Sequence, residues 1–418
     1  MDTCPLAYGH STQTVTLPFG DVSWLLEREL PKARESEEGL LRRALERPLG
    51  TERLARVVHP DQSVAIVVSD LTRPCPTARI LPFLLSELER AGVAARSVHV
   101  VFALGGHRCL TVPERASLLS PAIYDRVCCE DIGAGPFVDL GRTRRGTPIQ
   151  IYQPVVEADW RIYVGNIEYH YFAGYTGGAK ALLPGVSSPE SIRANHSWMV
   201  HEEAAAGRLD GNPVREDMEE AASRLGPTFL LNVVLDADKR IVEAVAGDLT
   251  LAHRQGCRRV DELYRVPIER PADIVLASAG GWPKDINLYQ AHKALENAAR
   301  AVRDGGILIL VAECPEGLGN PVFAEWMTSG NTPDEMLRRI REHFVLGGHK
   351  AAAIAKTMRR RVRIFLVSAM APDLVTGMGL TPFATAQEAM LAAQSEMGQA
   401  ARWAALPHAG STLPSLAN

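Results

Sequence analysis

Residues 63–74 read SVAIVVSDLTRP. Ser63–Ser69 is a short apolar run bounded by polar residues, and it reads as a buried strand. Pro76–Ala91 follows with an apolar stripe through Ile80, Leu84, Leu85 and Leu88, the spacing of one helix face. Ser97–Leu104 (SVHVVFAL) reads as the next strand, and Trp160–Val164 and Thr228–Leu235 as two more. Strand and helix patterns in alternation predict an α/β fold.

The pattern restarts further on. Asp273–Ser278 reads as a strand, Leu288–Val302 as a helix and Gly306–Val311 as a strand; a strand over Val362–Val367 and a helix over Ala384–Met397 follow. Arg265–Pro271 (RVPIERP) has two prolines and several charges and reads as a linker. A chain of 418 residues exceeds one ordinary core. Two α/β domains are therefore expected, 1–268 and 269–418, the last dozen residues forming a loose tail.

Composition narrows the function. Hydrophobic residues make up 46% and charged residues 22%, as in ordinary globular proteins. A net charge of −4 argues against a dedicated nucleic-acid binder. No run approaches the roughly 20 apolar residues that span a bilayer, and the start MDTCPLAYGHSTQTV lacks a signal-peptide pattern. The seven cysteines are scattered without a C-x-x-C pair, which fits reduced thiols and a cytoplasmic location.

Four polar clusters stand out. In open α/β sheets, ligands bind beyond the carboxyl ends of the strands. One strand runs into Ser69-Asp70-Leu71-Thr72-Arg73-Pro74, where Asp, Thr and Arg can hold an anion or form a capped turn with a surface ion pair. Another runs into Gly105-Gly106-His107-Arg108, and His107 reads as a ligand-facing or a plain loop histidine. The third is GNIEYHYFAGYTGGAKALLPGVSSPESIRANHSW, 165–198. It carries His170, a glycine-rich turn, Lys180 and Asn195-His196. Ala179 and Ala181 flank Lys180 where a P-loop needs Gly and Ser or Thr, so that reading fails. Ser187-Ser188 before Pro189 predicts a helix start that puts His196 toward the far end of a short helix. The fourth, Asp285–Lys293, opens a helix on which Gln290 and Lys293 share a face. His107, His170 and His196 also permit a three-histidine zinc site, although H-E-x-x-H is absent.

Taken in order, SDLTRP (69–74), ALGGHR (103–108), HYFAGYTGGAK (170–180) with NH (195–196), and LYQAHK (288–293) resemble the nickel-dependent lactate racemase family. The resemblance implies two α/β domains with the active site in the cleft between them. It implies a nickel-pincer nucleotide, Ni(II)-pyridinium-3,5-bisthiocarboxylate mononucleotide, attached through Lys180 with His196 as the protein ligand to nickel. Asp70, Leu71, Thr72 and Arg73 would lie against the cofactor, and His107 and His170 would be paired acid/base residues. Arg73, Tyr289, Gln290 and Lys293 would hold the substrate. The implied activity racemises or epimerises a 2-hydroxy acid by hydride abstraction to a 2-keto acid and return to the opposite face. Two histidines suit it, because each enantiomer presents its hydroxyl to a different side. Cofactor-synthesis proteins would be partners.

Lactate-acting members carry a tryptophan in the C-terminal domain. The comparable segment here, Phe344–Ala351, has none, so a substrate other than strictly lactate is expected. Other classes are a zinc-dependent hydrolase using His107, His170 and His196, a non-catalytic cofactor- or substrate-binding protein, and a nicotinamide-dependent dehydrogenase. The last would need a G-x-G-x-x-G after a strand, which is absent.

Overall fold

The structure, a computed structural model, describes residues 3–17, 22–25, 35–133, 135–236 and 238–416. The chain divides into two compact units, Leu30–Leu263 and Met1–Glu29 with Tyr264–Asn418.

Among the described residues, the Leu30–Leu263 unit holds a six-stranded sheet. Its order is Ile241–Gly247, Thr228–Leu235, Trp160–Asn166, Val64–Ser69, Val98–Ala103, Cys128–Asp131. All neighbours are parallel except the first pair. Val64 through Val68 are wholly buried, as a parallel strand covered on both faces requires. Each Val or Ile side chain there contributes about 1.5–3 kcal/mol of apolar transfer. The helix Thr77–Arg90 buries Ile80, Leu84, Leu85 and Leu88, the predicted stripe. From the central Val64–Ser69 strand the chain builds outward on one side, then returns to the other side with Trp160–Asn166. That reversal is a topological switch point, where the connections leave in opposite directions and open a crevice at the strands' carboxyl ends.

The other unit carries a six-stranded parallel sheet among its described residues. Its order is Thr381–Phe383, Arg363–Val367, Val302–Val311, Ala272–Ser278, Trp403–Leu406, Val22–Leu25. The hairpin of Thr3–Tyr8 and Ser11–Thr16 buries Cys4, Leu6 and Val15 against Ile274, Leu276, Ile307 and Ile309. The first 29 residues thus belong with the C-terminal unit, unlike the expected continuous domain 1–268, because hydrophobic burial joins segments far apart in sequence.

Two further expectations are corrected. The presumed linker contains the strand Arg265–Ile268, and the presumed loose tail contains Leu413–Leu416, which pairs with it in parallel. Leu413 is wholly buried. Pro267 and Pro414 hid both strands, yet a ladder of only two strands tolerates a missing N–H on its open side. Ala417 and Asn418 lie outside the described residues. No described helix is long and apolar enough to cross a membrane.

Candidate active site

The switch point gathers the first three polar clusters. Asp70 directly follows the central strand and is 4% exposed. Its Oδ1 accepts from Thr72 N at 3.1 Å and Thr72 Oγ1 at 2.7 Å, and its Oδ2 faces His107 Nδ1 at 2.5 Å. Burial pushes the Asp70 carboxyl up, but His107, Thr72 and Arg73 outweigh it and hold it below the ordinary carboxylate range. A carboxylate can only accept, so the His107 ring donates from Nδ1 and carries its lone pair on Nε2. Leu71 and Thr72 are exposed and Arg73 is half-buried.

The loop bearing His107 is tied to the loop bearing Lys180, since Gly105 N–H donates to Gly185 O at 3.0 Å. A Cβ at Gly185 would lie 2.0 Å from Ala181 O, so only glycine permits this approach. Lys180 is half-buried on the short turn Gly178–Ala181. That turn is held by Gly178 N–H donating to Asn232 Oδ1 at 3.0 Å. Gly177 and Gly178 have φ of 72° and 60°, and a Cβ on Gly178 would meet the His253 ring at 2.6 Å.

His170 sits on a small hairpin in which it pairs with Gly174 and Tyr169 pairs with Tyr175. Both tyrosine hydroxyls donate to Asp261 Oδ1, at 2.8 and 2.7 Å. His170 Nδ1 accepts from Ala173 N–H at 3.3 Å, which places the proton of the neutral ring on Nε2. The buried Phe172 ring meets His170 edge-on at 4.5 Å and His196 at 4.9 Å between centroids. His196 lies in the last turn of the helix Pro189–Ser197, capped by Ser188 as expected. It is 6% exposed, and its Nδ1 lies 3.1 Å from Asn195 Oδ1.

In the other unit the helix Leu288–Ala298 starts at Asn287, whose Oδ1 accepts from Gln290 N–H at 3.0 Å. Tyr289, Gln290 and Lys293 are half-buried. Lys350 Nζ stands 3.5 Å over the Tyr289 ring centroid and donates to Tyr289 O at 2.6 Å.

The Lactate racemase N-terminal domain model matches residues 8–207 and the Lactate racemase C-terminal domain model matches 268–413. The chain belongs to the lactate racemase family. It is 33% identical over 406 residues to a lactate racemase of Thermoanaerobacterium thermosaccharolyticum, covering 94% of this chain and 95% of that one. It is 33% identical over 381 residues to a lactate racemase of Lactiplantibacillus plantarum, covering 89% of each. The lactate racemase apoprotein structure from T. thermosaccharolyticum matches with a TM-score of 0.91 at 31% identity, covering 99% of this chain and 100% of that one. This lactate racemase family member is accordingly an isomerase of the racemase class with an α/β fold.

Sequence reasoning missed the residues beneath these clusters. Arg215, wholly buried, donates Nε to Ala173 O at 3.1 Å, Nη1 to Gly177 O at 3.3 Å and Nη2 to Tyr175 O. His253 Nε2 donates to Thr176 O at 2.8 Å. Arg215 sits in PVREDMEEAA, whose charge density reads as a solvated face, so no local signal marked it. The zinc alternative required convergent ligands. Among the described residues, no three His, Cys, Asp or Glu side chains form a group that could hold a metal.

Burial, then the Arg215 charge, pushes His253 down to about 3. With its folded pKa depressed, the unfolded chain binds more protons between about pH 6.5 and 3. The stabilisation from neutral His253 is therefore lost progressively as pH falls through that window. The urea midpoint should drop on acidification, and less steeply in His253→Gln, which retains a donor toward Thr176 O. Equal slopes in the two proteins would contradict this.

Proposed function

We propose that the chain is a nickel-pincer-dependent racemase or epimerase of a 2-hydroxy acid, working in the cytoplasm with cofactor-synthesis proteins as partners. The carrying observation is the donor set at the switch point. The buried His196 directs Nδ1 at Asn195, so a metal would be taken by Nε2. Lys180 projects from a turn hydrogen-bonded to the same frame. One imidazole beside the soft sulfur arms of a pincer would suit nickel. Lys180 and His196 would hold the group, with Asp70–Arg73 against it. When bound, it supplies an electrophilic centre able to accept hydride from Cα and return it.

The two acid/base histidines rest in complementary tautomers. His107, with its Nδ1 proton given to Asp70, can take the substrate hydroxyl proton at Nε2. His170, whose neutral ring accepts from Ala173 at Nδ1, can hold the oxygen of the 2-keto acid with its Nε2–H, and it would deliver a proton there only from the imidazolium, which is left as a neutral ring. In the reverse direction the base is the histidine left neutral and the acid is the one left as the imidazolium, as a racemase working in both directions requires. A cationic Arg73 or Lys293 would pair with the substrate carboxylate, and Gln290 and Tyr289 are the other candidate substrate contacts. The relatives are named lactate racemases, which makes lactate the first acid to test. Lys350, a second cation against Tyr289, supports a longer or more polar 2-hydroxy acid.

The test is co-expression with cofactor-synthesis enzymes and nickel, followed by intact mass, metal content and interconversion of a panel of 2-hydroxy acid enantiomers. A mass increment lost in Lys180→Ala, with nickel bound and one acid racemised, is the expected result. An unmodified chain that binds zinc, or that stays inactive with the cofactor supplied, would sink the proposal.

A further inference from the structure

Asp217 is a wholly buried residue on the helix Pro213–Ala222, a position no apolar packing argument explains. Removing a carboxylate from water costs several kcal/mol unless hydrogen bonds repay it. Its Oδ1 accepts from Thr143 Oγ1 at 2.5 Å and its Oδ2 from Asn195 Nδ2 at 2.9 Å. Thr143 Oγ1 in turn accepts from Thr147 N–H at 3.2 Å, which leaves its own proton for Asp217. Asn195, also wholly buried, directs the same amide nitrogen at Val214 O, 3.1 Å away.

Two acceptors on one side fix the orientation of the Asn195 amide. Its oxygen then faces His196 Nδ1 at 3.1 Å. An amide oxygen only accepts, so the ring proton lies on Nδ1 and the lone pair on Nε2.

We propose that Asp217 and Asn195 are positioning residues for His196. They form a buried relay from Thr143 through Asp217 and Asn195 that holds the imidazole as its Nδ1–H tautomer and presents Nε2 to a metal. The negative end of the relay polarises the Asn195 amide and strengthens the ring as a donor. Partners of this kind behind a ligating histidine typically change metal affinity by about 10–100-fold. The metal part rests on the reading of His196 as the nickel ligand; the tautomer does not.

The tautomer is read on the full chain, expressed without cofactor-synthesis enzymes and labelled with 15N-histidine, by long-range 1H–15N correlation. His196→Gln identifies the signal. The wild-type ring should carry its proton on Nδ1. Asp217→Leu and Asn195→Leu should move it to Nε2. Asp217→Asn should keep it, since its oxygen still accepts from Asn195 while its amide donates to Thr143. A wild-type Nε2–H tautomer overturns the proposal by itself, even if a leucine variant fails to fold. An unchanged tautomer in both folded leucine variants also overturns it. In the loaded enzyme, Asp217→Leu should lose nickel to a chelator about 10–100-fold more readily, and equal retention would overturn the metal part. Nickel missing from the co-expressed wild-type enzyme would instead fail the pincer reading, with the tautomer standing.

Discussion

Replacing Arg215 with methionine is expected to destabilise the Leu30–Leu263 unit by roughly 3 kcal/mol or more and to remove most of the activity. The guanidinium is buried and its three nitrogens serve the carbonyls of Ala173, Tyr175 and Gly177. Burying a charge is costly, and replacing a whole buried ion pair with apolar residues is often harmless. The outcome differs here because the partners are backbone carbonyls that mutation cannot remove. Ala173 O keeps Tyr175 N–H at 2.9 Å and Gly177 O keeps Lys180 N–H at 3.3 Å, so the cost is that of the lost guanidinium hydrogen bonds, about 1.5–3 kcal/mol for each bond to a charged group. The same carbonyls lie between His170 and Lys180 in the sequence, so loosening them displaces the proposed acid/base histidine and the proposed cofactor lysine together. Misplacing a reacting group by about 1 Å can cost about 10²-fold in rate. Arg215→Lys should fall between wild type and methionine, since a single ammonium lacks the planar fork that spans three oxygens. Urea unfolding and racemisation assays on the three proteins decide it. A methionine variant as stable and active as wild type would mean the loop is held by other contacts.

The parts legible in the sequence were those set by local periodicity. The predicted strand over Thr228–Leu235 has the observed bounds, and the central strand and its helix shift by about one residue at their ends. The predicted helix Leu288–Val302 ends instead at Ala298, and the strand begins at Val302. Its Ala-Arg-Ala-Val continuation suits either state, and pairing with Ala272–Ser278 decides it. The hairpin at the N-terminus was invisible as part of the C-terminal core because no local signal reports a partner some 270 residues away. Among site residues, His107, His170, Lys180 and His196 stood in recognisable glycine-rich or strand-end contexts. Arg215, Asp217 and His253 did not, because their importance comes from burial against a loop distant in sequence. A charged residue on a helix of mixed composition carries no mark of which face will be covered.

Asp70→Asn is expected to lower kcat by about 10²–10⁴-fold in both directions with little change in KM. The carboxylate accepts on both sides, from His107 Nδ1 through Oδ2 and from the Thr72 amide and hydroxyl through Oδ1. Asparagine has one accepting oxygen. If that oxygen turns to Thr72, the amide nitrogen faces His107 and forces the ring proton onto Nε2, so the proposed base is lost. If it turns to His107, the Asn nitrogen confronts the Thr72 N–H, and two donors oppose each other in a buried position. Either arrangement leaves His107 in the wrong tautomer or displaced. Both directions suffer, since the carboxylate also stabilises the imidazolium that forms when His107 accepts a proton. Because Asp70 is held below the ordinary carboxylate range, it stays ionised across neutral pH, and wild-type activity should show no acid limb from it near neutral pH. The decisive comparison is among Asp70→Asn, His107→Gln and the double variant. Residues acting as a unit lose little more together than apart. Additive losses in the double variant, or a single Asp70→Asn within a few-fold of wild type, would show that Asp70 does not set the state of His107.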